Sequence, residues 1–458
     1  MANIKNNTIT VIGGGLAGSE AAWQSANRGW KVTLYEMRPS RETGAHKGDG
    51  LAELICSNSL GSNLSDRASG LLKDEMRSMG SLLLSIADET KVPAGSALAV
   101  DREFFSARVT EAIEAHPNIE VVRKEVEQIP DEGIIILASG PLTSPALAQS
   151  LATFCGQKNL YFFDAISPII EASSINMETA YSASRWDEEG AAEGDYINLP
   201  FHNKADYLSF FEALTSAQRI ELKDFELAIE TGVDAGNDAF FEGCLPVEII
   251  ASRGQKALLY GPLRPVGLKD PRVERPPYAV AQLRKENLAG DLYNIVGFQT
   301  NLTFPEQRRV LRMIPGLENA EFARYGQMHR NTFISAPDVL QPTLQANNRK
   351  SLFMAGQITG VEGYAGNIAT GVVAGINAAR MAFGDQPLCF PVETMIGSLL
   401  NYITHTDPKT FQPMKANFGI LPALPPQLQK GGKRDRATHY SARANNAMKE
   451  FLGQHDLD

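Results

Sequence analysis

The feature that most constrains the fold is a glycine-rich turn between two apolar segments near the start of the chain. Residues 8–12 (TITVI) have the pattern of a buried strand, and Gly13-x-Gly15-x-x-Gly18 follows them directly. A small-residue helical segment comes next, and then a second strand that ends at Glu36. This strand–turn–helix–strand order is the context in which a glycine pattern of this spacing binds a dinucleotide.

The glycines suit different tasks in such a turn. Gly13 permits a tight turn, Gly15 lets the backbone approach a pyrophosphate, and Gly18 lets the helix pack closely on the strand. The start of the helix offers N–H groups and the positive end of a dipole to the phosphates. The predicted phosphate-binding residues are Gly13, Gly14, Gly15, Leu16, Ala17 and Gly18.

Glu36 indicates which dinucleotide is bound. A carboxylate at the end of the second strand can accept hydrogen bonds from ribose hydroxyls, which favours FAD or NAD over NADP. A fingerprint this close to the start of the chain is typical of FAD, because the flavin is built into the core. We therefore predict an α/β protein with a Rossmann-like FAD-binding domain of the two-dinucleotide-binding type.

A second glycine-rich turn follows the apolar segment 351–355, and a small-residue helix over 368–383 follows the turn. Such a corner also permits close approach of a ligand, so Gly356, Gln357 and Tyr364 are further cofactor-binding candidates. We predict a discontinuous FAD-binding domain over residues 1–160 and 331–385, an inserted α/β domain over 161–330 that faces the substrate, and a helical tail over 386–458. The apolar spacing of residues 71–86 predicts one helix.

Composition narrows the functional classes. The chain has 458 residues, 43% hydrophobic and 21% charged, as in globular proteins. A net charge of −10 disfavours non-specific binding of polyanions over the whole surface but leaves room for a local basic patch. Four cysteines without CxxC spacing indicate no zinc or other metal site, no disulfide scaffold and a reducing cytoplasm. We expect no signal peptide and no membrane span.

Two cysteines are chemical candidates because of their surroundings. Cys56 lies in a polar Cys-Ser-Asn-Ser segment, where a thiol is accessible, and Cys244 lies in a turn between Gly243 and Pro246. Cys155 and Cys389 have apolar neighbours and are expected to be packing residues.

The end of the chain is locally basic, with Lys433, Arg434 and Arg436 close together. Two interpretations stay open: a solvated charged end, or a patch that contacts RNA phosphates.

Three motifs, together with the first fingerprint, resemble one family over residues 9 to about 425. They are LICSNSL at 54–60, FEGCLP at 241–246 and AGQITGVEGY at 355–364. The chain resembles the bacterial folate- and FAD-dependent tRNA (uracil-5-)-methyltransferases. The longer flavoproteins that modify the tRNA wobble uridine share the second glycine turn, but this chain stops earlier and has the Cys-Ser-Asn-Ser segment.

The resemblance implies a reaction. The one-carbon unit of 5,10-methylenetetrahydrofolate is transferred to C5 of the T-loop uridine of tRNA, FAD supplies electrons, and NADH or NADPH restores them. The family pattern gives Cys244 as the nucleophile at C6 of uracil and Cys56 as a base or stabilising group, and these two roles could be exchanged. Tyr364 could stack on the flavin or the pterin.

Other classes of function remain to be separated from this one. They are a wobble-uridine flavoprotein, an FAD/NAD(P)H oxidoreductase acting on a small molecule, and an RNA-binding flavoprotein without catalysis. A small-molecule oxidoreductase gives no reason for two cysteines in polar turns.

Overall fold

The structure, a computed structural model, describes residues 8–43, 45–156, 160–186, 194–220, 245–270 and 272–457. The strands in chain order are β1 Thr8–Ile12, β2 Lys31–Glu36, β3 Ser59–Ser62, β4 Lys91–Val92, β5 Ala97–Val100, β6 Ile119–Arg123, β7 Ile134–Leu137, β8 Leu160–Ala165, β9 Ile169–Glu171, β10 Tyr181–Ser182, β11 Tyr196–Phe201, β12 Ala279–Lys285, β13 Leu292–Ile295, β14 Phe322–Arg324, β15 Met328–Phe333 and β16 Leu352–Met354. The helices are α1 Leu16–Asn27, α2 Ala68–Arg77, α3 Leu82–Glu89, α4 Arg102–Glu114, α5 Pro145–Cys155, α6 Lys204–Ser216, α7 Val247–Ser252, α8 Ala257–Tyr260, α9 Phe304–Leu311, α10 Ala336–Val339, α11 Tyr364–Phe383, α12 Met395–His405 and α13 Lys433–Gln454.

A five-stranded sheet forms the centre of the nucleotide-binding part, with the strand order β16-β7-β1-β2-β6. Each of its pairings is parallel. All four residues of β7 are buried, as expected for a strand that is covered on both faces. The α/β class and the Rossmann-like order predicted from the sequence are confirmed.

Helix α11 lies very close to α1 because small residues line the contact. A Cβ atom at Gly371 would lie 2.4 Å from the Ala17 carbonyl oxygen, and one at Gly375 would lie 2.6 Å from that of Ala21. The Ser25 hydroxyl donates to the Gly375 carbonyl across the contact (3.1 Å). This packing brings the segments that precede the two helices, which are the two glycine-rich turns, to the same edge of the sheet.

A second sheet, which is antiparallel, lies within residues 169–324 and has the order β10-β11-β12-β13-β9-β14. Its hydrophobic core is separate from that of the first sheet and includes Tyr207, Phe210 and Phe298. The antiparallel pair β8 and β15 carries the chain between the two parts. The exact domain boundaries stay a prediction.

The segment 71–86 is not one helix, as its apolar spacing suggested. Helix α2 ends at Arg77 and α3 begins at Leu82. Gly80 adopts φ +68° between them, a conformation that ends a helix, and the Ser81 hydroxyl caps α3 by accepting the Leu84 N–H. Both helices present their apolar residues to one core, which is why the hydrophobic spacing continues across the break.

Lys73, a fully buried residue of α2, holds the start of β3 in place. Its ammonium group donates to the carbonyl oxygens of Leu60 (3.0 Å) and Ser69 (3.0 Å) and to the Ser69 hydroxyl (2.8 Å). Burial, together with the charge of Arg77, lowers the pKa of Lys73 to about 7.

This buried lysine predicts a pH-dependent stability. Its pKa in the unfolded chain is about 10.4, so the unfolded chain binds more protons above pH 7, and the free energy of unfolding rises with pH by up to about 1.4 kcal/mol per unit. We expect Lys73→Met to remove this rise and Lys409→Met, at an exposed lysine, to keep it. Denaturant unfolding between about pH 7 and 9 measures the effect, and parallel curves for wild type and Lys73→Met would contradict it.

Candidate active site

A deep cleft opens at the carboxyl ends of β1, β2 and β7, the edge at which open α/β sheets bind ligands. The open space in and directly above it is about 1200 Å³. The residues of its wall that the sequence singled out are Gly13, Gly15, Leu16, Ala17, Glu36, Cys56, Gly356, Gln357 and Tyr364. The fold therefore brings both glycine-rich turns and one candidate cysteine to the same cavity.

In the first turn, a side chain would have free space at one glycine and would clash at another. A Cβ atom at Gly15 would meet nothing within 4 Å, whereas one at Gly18 would lie 1.7 Å from the Gly13 carbonyl oxygen. Gly15 is the N-cap of α1 and provides no side-chain cap, so the first N–H groups of the helix have no side-chain acceptor there. Backbone donors beside open space, at a positive dipole end, suit a pyrophosphate.

Glu36 is buried at the end of β2 and is held as a carboxylate. One of its oxygens accepts the Gly14 N–H (2.9 Å), and the other accepts the backbone N–H (3.0 Å) and Nε–H (2.9 Å) of Arg38. Burial acts to raise the pKa of Glu36, but the charge and hydrogen bonds of Arg38 outweigh burial and lower it. Arg38 also pairs with Glu53 (2.8 Å). Arg38 and Glu53 are site residues that the sequence reasoning missed.

The second turn lies beside the first in the cleft, because a Cβ atom at Gly356 would be 3.0 Å from that of Ala17. The Gly356 N–H donates to the Thr370 hydroxyl (2.7 Å), and the Gln357 amide donates to Glu362 (2.8 Å). Asn367 also lines the cleft, and within the described residues its buried Oδ1 atom has no hydrogen-bond partner. The cleft thus retains an acceptor that a bound ligand can satisfy.

Cys56 makes two contacts with the Tyr364 hydroxyl, and the next residue, Ser57, makes a third. The Tyr364 hydroxyl oxygen accepts the N–H groups of Cys56 (2.9 Å) and Ser57 (3.2 Å), and it lies 3.1 Å from Cys56 Sγ. Burial, and next the proximity of Cys56, raise the pKa of Tyr364 well above its ordinary value, so the hydroxyl keeps its proton. Since the oxygen already accepts two N–H groups, its proton is available to the sulfur.

Two arginines bind the carbonyl group of the peptide bond that joins Ile55 to Cys56. The Ile55 carbonyl accepts from Arg102 (2.9 Å) and from Arg324 (3.3 Å), and Arg102 also pairs with Glu286. Arg324 and Glu286 come from the part of the chain that carries the antiparallel sheet. These residues are scattered over more than two hundred positions without a motif, so the sequence offered no signal for them.

The neighbouring Asn58 adds a further link between the same parts. Its amide nitrogen donates to the carbonyls of Val100 (3.0 Å) and Lys285 (2.9 Å), and its oxygen accepts from Arg284 Nε (2.9 Å). The Cys-Ser-Asn-Ser segment is therefore built into the junction between the two sheets rather than being a free loop.

The remaining cysteines differ from Cys56. Cys244 lies outside the described residues. Cys155 is half-buried, and burial raises the pKa of its thiol to about 11, which suits the expected packing role. Cys389 is exposed although both of its neighbours, Leu388 and Phe390, are buried, so its expected role in packing was wrong. Buried and exposed residues alternate over 388–390, and this alternation leaves the Cys389 side chain facing solvent.

The basic residues of the tail lie in the first turn of α13. Lys433, Arg434 and Arg436 are exposed, and Arg434 contacts Asp66 (3.2 Å) while remaining largely in solvent. Positive charges at a helix N-terminus oppose the helix dipole. Asp435, in the same turn, accepts the Gly432 N–H and provides the charge that the dipole favours, so the three basic residues gain nothing from the dipole.

Membrane-spanning and metal-binding features are both missing from the described part of the chain. None of its helices has the length and apolarity needed to cross a bilayer. It also contains no group of three or more His, Cys, Asp and Glu side chains arranged to hold a metal ion.

The sheet order and the cleft define a dinucleotide-binding α/β protein with the fold of GidA. The structure of Aquifex aeolicus GidA aligns with a TM-score of 0.68 at 17% identity, covering 100% of this chain and 76% of that chain. The family described as Glucose inhibited division protein A matches residues 8–386.

Relatives at higher identity carry a more specific name. The methylenetetrahydrofolate–tRNA-(uracil-5-)-methyltransferase TrmFO of Ligilactobacillus salivarius is 53% identical over 97% of this chain and 98% of its own length. The protein of the same name from Enterococcus faecalis is 52% identical over 96% and 97%. This chain belongs to the TrmFO family, as the motif resemblance predicted.

Proposed function

We propose that this enzyme methylates C5 of the T-loop uridine of tRNA to give 5-methyluridine, with 5,10-methylenetetrahydrofolate as the carbon donor. The observation that carries the proposal is the 53% identity, over nearly the whole of both chains, to a relative named for this activity. The proposal includes a cytoplasmic location, because cysteines without disulfide spacing suit a reducing compartment.

The residues of the cleft fit FAD. Gly15, Leu16 and Ala17 would hold the pyrophosphate with backbone N–H groups, and Glu36 would accept hydrogen bonds from a ribose. The second turn, with Gly356 next to Ala17, would line the cofactor beside the pyrophosphate. Bound FAD would supply, when reduced, the electrons that turn the transferred methylene group into a methyl group, and NADH or NADPH would restore them.

The chemistry at the uracil ring requires a nucleophile and a base. C5 of uracil becomes nucleophilic when a thiolate adds to C6, and after the new C5–C bond forms, the C5 proton must leave and the C6–S bond must break. Cys244 is proposed as the nucleophile and Cys56 as the base, and the roles could be exchanged. The Tyr364 hydroxyl, 3.1 Å from Cys56 Sγ, supports a chemical role for that thiol.

An assay on an unmodified tRNA transcript tests the proposed function. Purified protein is incubated with 5,10-methylenetetrahydrofolate and NADPH, and nucleosides from the digested tRNA are analysed by mass spectrometry. We expect 5-methyluridine, mapped to the T-loop, only when folate is present. Modification at the wobble position, or NADPH oxidation that needs no tRNA, would favour the other classes instead.

The basic turn of α13 predicts a salt effect. If Lys433, Arg434 and Arg436 contact phosphates, replacing all three by Gln should weaken tRNA binding and reduce the slope of log K against log salt by up to about 2–3, since each contact contributes about 0.7–0.9. Fluorescence anisotropy with labelled tRNA at several salt concentrations measures the slope. An unchanged slope would mean that this turn is a solvated helix end that does not contact tRNA. A control variant replaces three exposed lysines elsewhere, Lys91, Lys204 and Lys409.

A further inference from the structure

Three aromatic rings form a continuous stack on the part of the chain that carries the antiparallel sheet. The ring of Tyr325 stacks on Phe304, with centroids 5.0 Å apart and planes 18° from parallel. It also stacks on Phe322, at 5.1 Å and 19°. Edge-to-face and tilted pairs are common in protein cores, as for Phe201 and Tyr207 in this chain. Two successive near-parallel contacts make a flat, layered surface instead.

The stack is open to solvent at Phe304, which is 46% exposed. This phenylalanine begins α9, where a polar residue would serve the helix equally well. A single exposed apolar residue is ordinary on a protein surface, so it is the stack behind the ring that distinguishes Phe304. The ring is thus available to a flat partner from outside.

Positive charge accompanies the rings. The guanidinium group of Arg308 donates to the Tyr325 hydroxyl through Nε (3.0 Å) and Nη2 (2.8 Å). Arg309 and Arg312 follow on the same helix and at its end, with one carboxylate, Glu306, paired to Arg309 (2.6 Å). Residues 304–325 contain four arginines and three glutamates, a net charge of +1 in a chain of net charge −10. Aromatic rings combined with arginines are how proteins bind unpaired nucleotides.

The stack also lies next to the Cys56 junction. Tyr325 directly follows Arg324, the last residue of β14, and the Arg324 guanidinium reaches the Ile55 carbonyl beside Cys56. The pairing of β14 with β9 is irregular between Phe322 and Arg324. The Arg324 guanidinium reaches the junction, while the rings of Phe322 and Tyr325 stack on each other. One short segment therefore connects the stack with the candidate catalytic thiol.

We propose that the exposed ring of Phe304, backed by Tyr325, is a stacking site for an unpaired base of the RNA substrate that lies close to the reacting uridine in the RNA sequence. This inference rests on the proposed function, since a tRNA substrate places a base-paired stem and exposed loop bases at the enzyme. Extracting the target uridine unstacks its neighbours, and the open ring of Phe304 can replace the lost stacking. Arg308 holds the Tyr325 ring and adds charge for the adjoining phosphate.

Binding of an unmodified tRNA transcript, measured by fluorescence anisotropy without folate or NADPH, tests the site on the FAD-loaded enzyme. We expect Phe304→Leu to weaken binding about tenfold, as for loss of one base–aromatic stack, and Phe304→Trp to restore it. The KM for tRNA should rise while kcat at saturating tRNA, flavin absorbance and melting temperature stay near wild type. The control is Phe383→Leu, because Phe383 is 63% exposed and ends α11 at the opposite end from Tyr364.

The outcomes are distinct from those of the methylation assay, because binding needs no turnover. Equal affinities for wild type, Phe304→Leu and Phe383→Leu would overturn the stacking site even if 5-methyluridine is formed. A loss confined to Phe304→Leu would support the site even if methylation fails. If sedimentation shows that Phe304→Leu instead dissociates a dimer, with tRNA affinity per subunit unchanged, the surface binds a second copy and the proposal is wrong.

Discussion

Alanine at Cys56 or at Cys244 should each reduce methyl transfer by about a thousandfold or more, which is the scale of losing a nucleophile or its partner. An alanine cannot add to C6 of uracil and cannot take the C5 proton. The absorbance of bound FAD should be unchanged in both variants, because the predicted phosphate and ribose contacts come from other residues. Single-turnover formation of 5-methyluridine measures the loss.

The chain supplies matched controls for these substitutions. Cys155→Ala and Cys389→Ala remove thiols that lie outside the cleft wall, so their activities should stay close to wild type. Full activity in Cys244→Ala would reject that residue as the nucleophile. Full activity in Cys56→Ala would mean that its contacts with Tyr364 serve only the structure of the junction.

Alanine should have different effects at two glycines of the first turn, weakening FAD binding at one and lowering stability at the other. A Cβ atom at Gly15 would meet nothing within 4 Å, and Gly15 lines the cleft in which the pyrophosphate is proposed to bind. Gly15→Ala should therefore fold normally and bind FAD at least about tenfold more weakly. A Cβ atom at Gly18 would lie 1.7 Å from the Gly13 carbonyl oxygen, so Gly18→Ala should lower the free energy of unfolding by about 3 kcal/mol.

Flavin content and denaturant unfolding of FAD-free protein separate the two effects. Wild-type flavin affinity in Gly15→Ala would contradict the assignment of this turn to the pyrophosphate. A destabilised FAD-free Gly15→Ala would mean that the glycine serves the backbone rather than the ligand.

The sequence was sufficient to predict those elements whose residues lie close together in the chain. The strand, the glycine spacing and Glu36 lie within thirty residues, and backbone sterics dictate their arrangement. The second turn was also predictable, because small residues such as Gly371 and Gly375 permit the close approach of α11 to α1. The helix predicted over 71–86 failed because hydrophobic spacing reports the shared core and not the backbone break at Gly80.

The junction around Cys56 could not be predicted from local pattern. Arg102, Glu286 and Arg324 meet only after two sheets with separate cores are brought together, and each has an ordinary sequence environment. Tyr364 was expected to stack on a flavin or pterin, and that role stays a prediction. Its hydroxyl contacts with Cys56 depend on the position of a helix that begins three hundred residues later, so no spacing rule could reveal them.

Transfer of a labelled carbon distinguishes folate from every other methyl donor. Unmodified tRNA transcript is incubated with the enzyme, NADPH and 5,10-methylenetetrahydrofolate that carries ¹³C in its methylene group, with unlabelled S-adenosylmethionine also present. We expect T-loop 5-methyluridine that is heavier by one mass unit than the product from unlabelled folate. Unlabelled 5-methyluridine, or no 5-methyluridine from a flavin-loaded enzyme that oxidises NADPH, would contradict it.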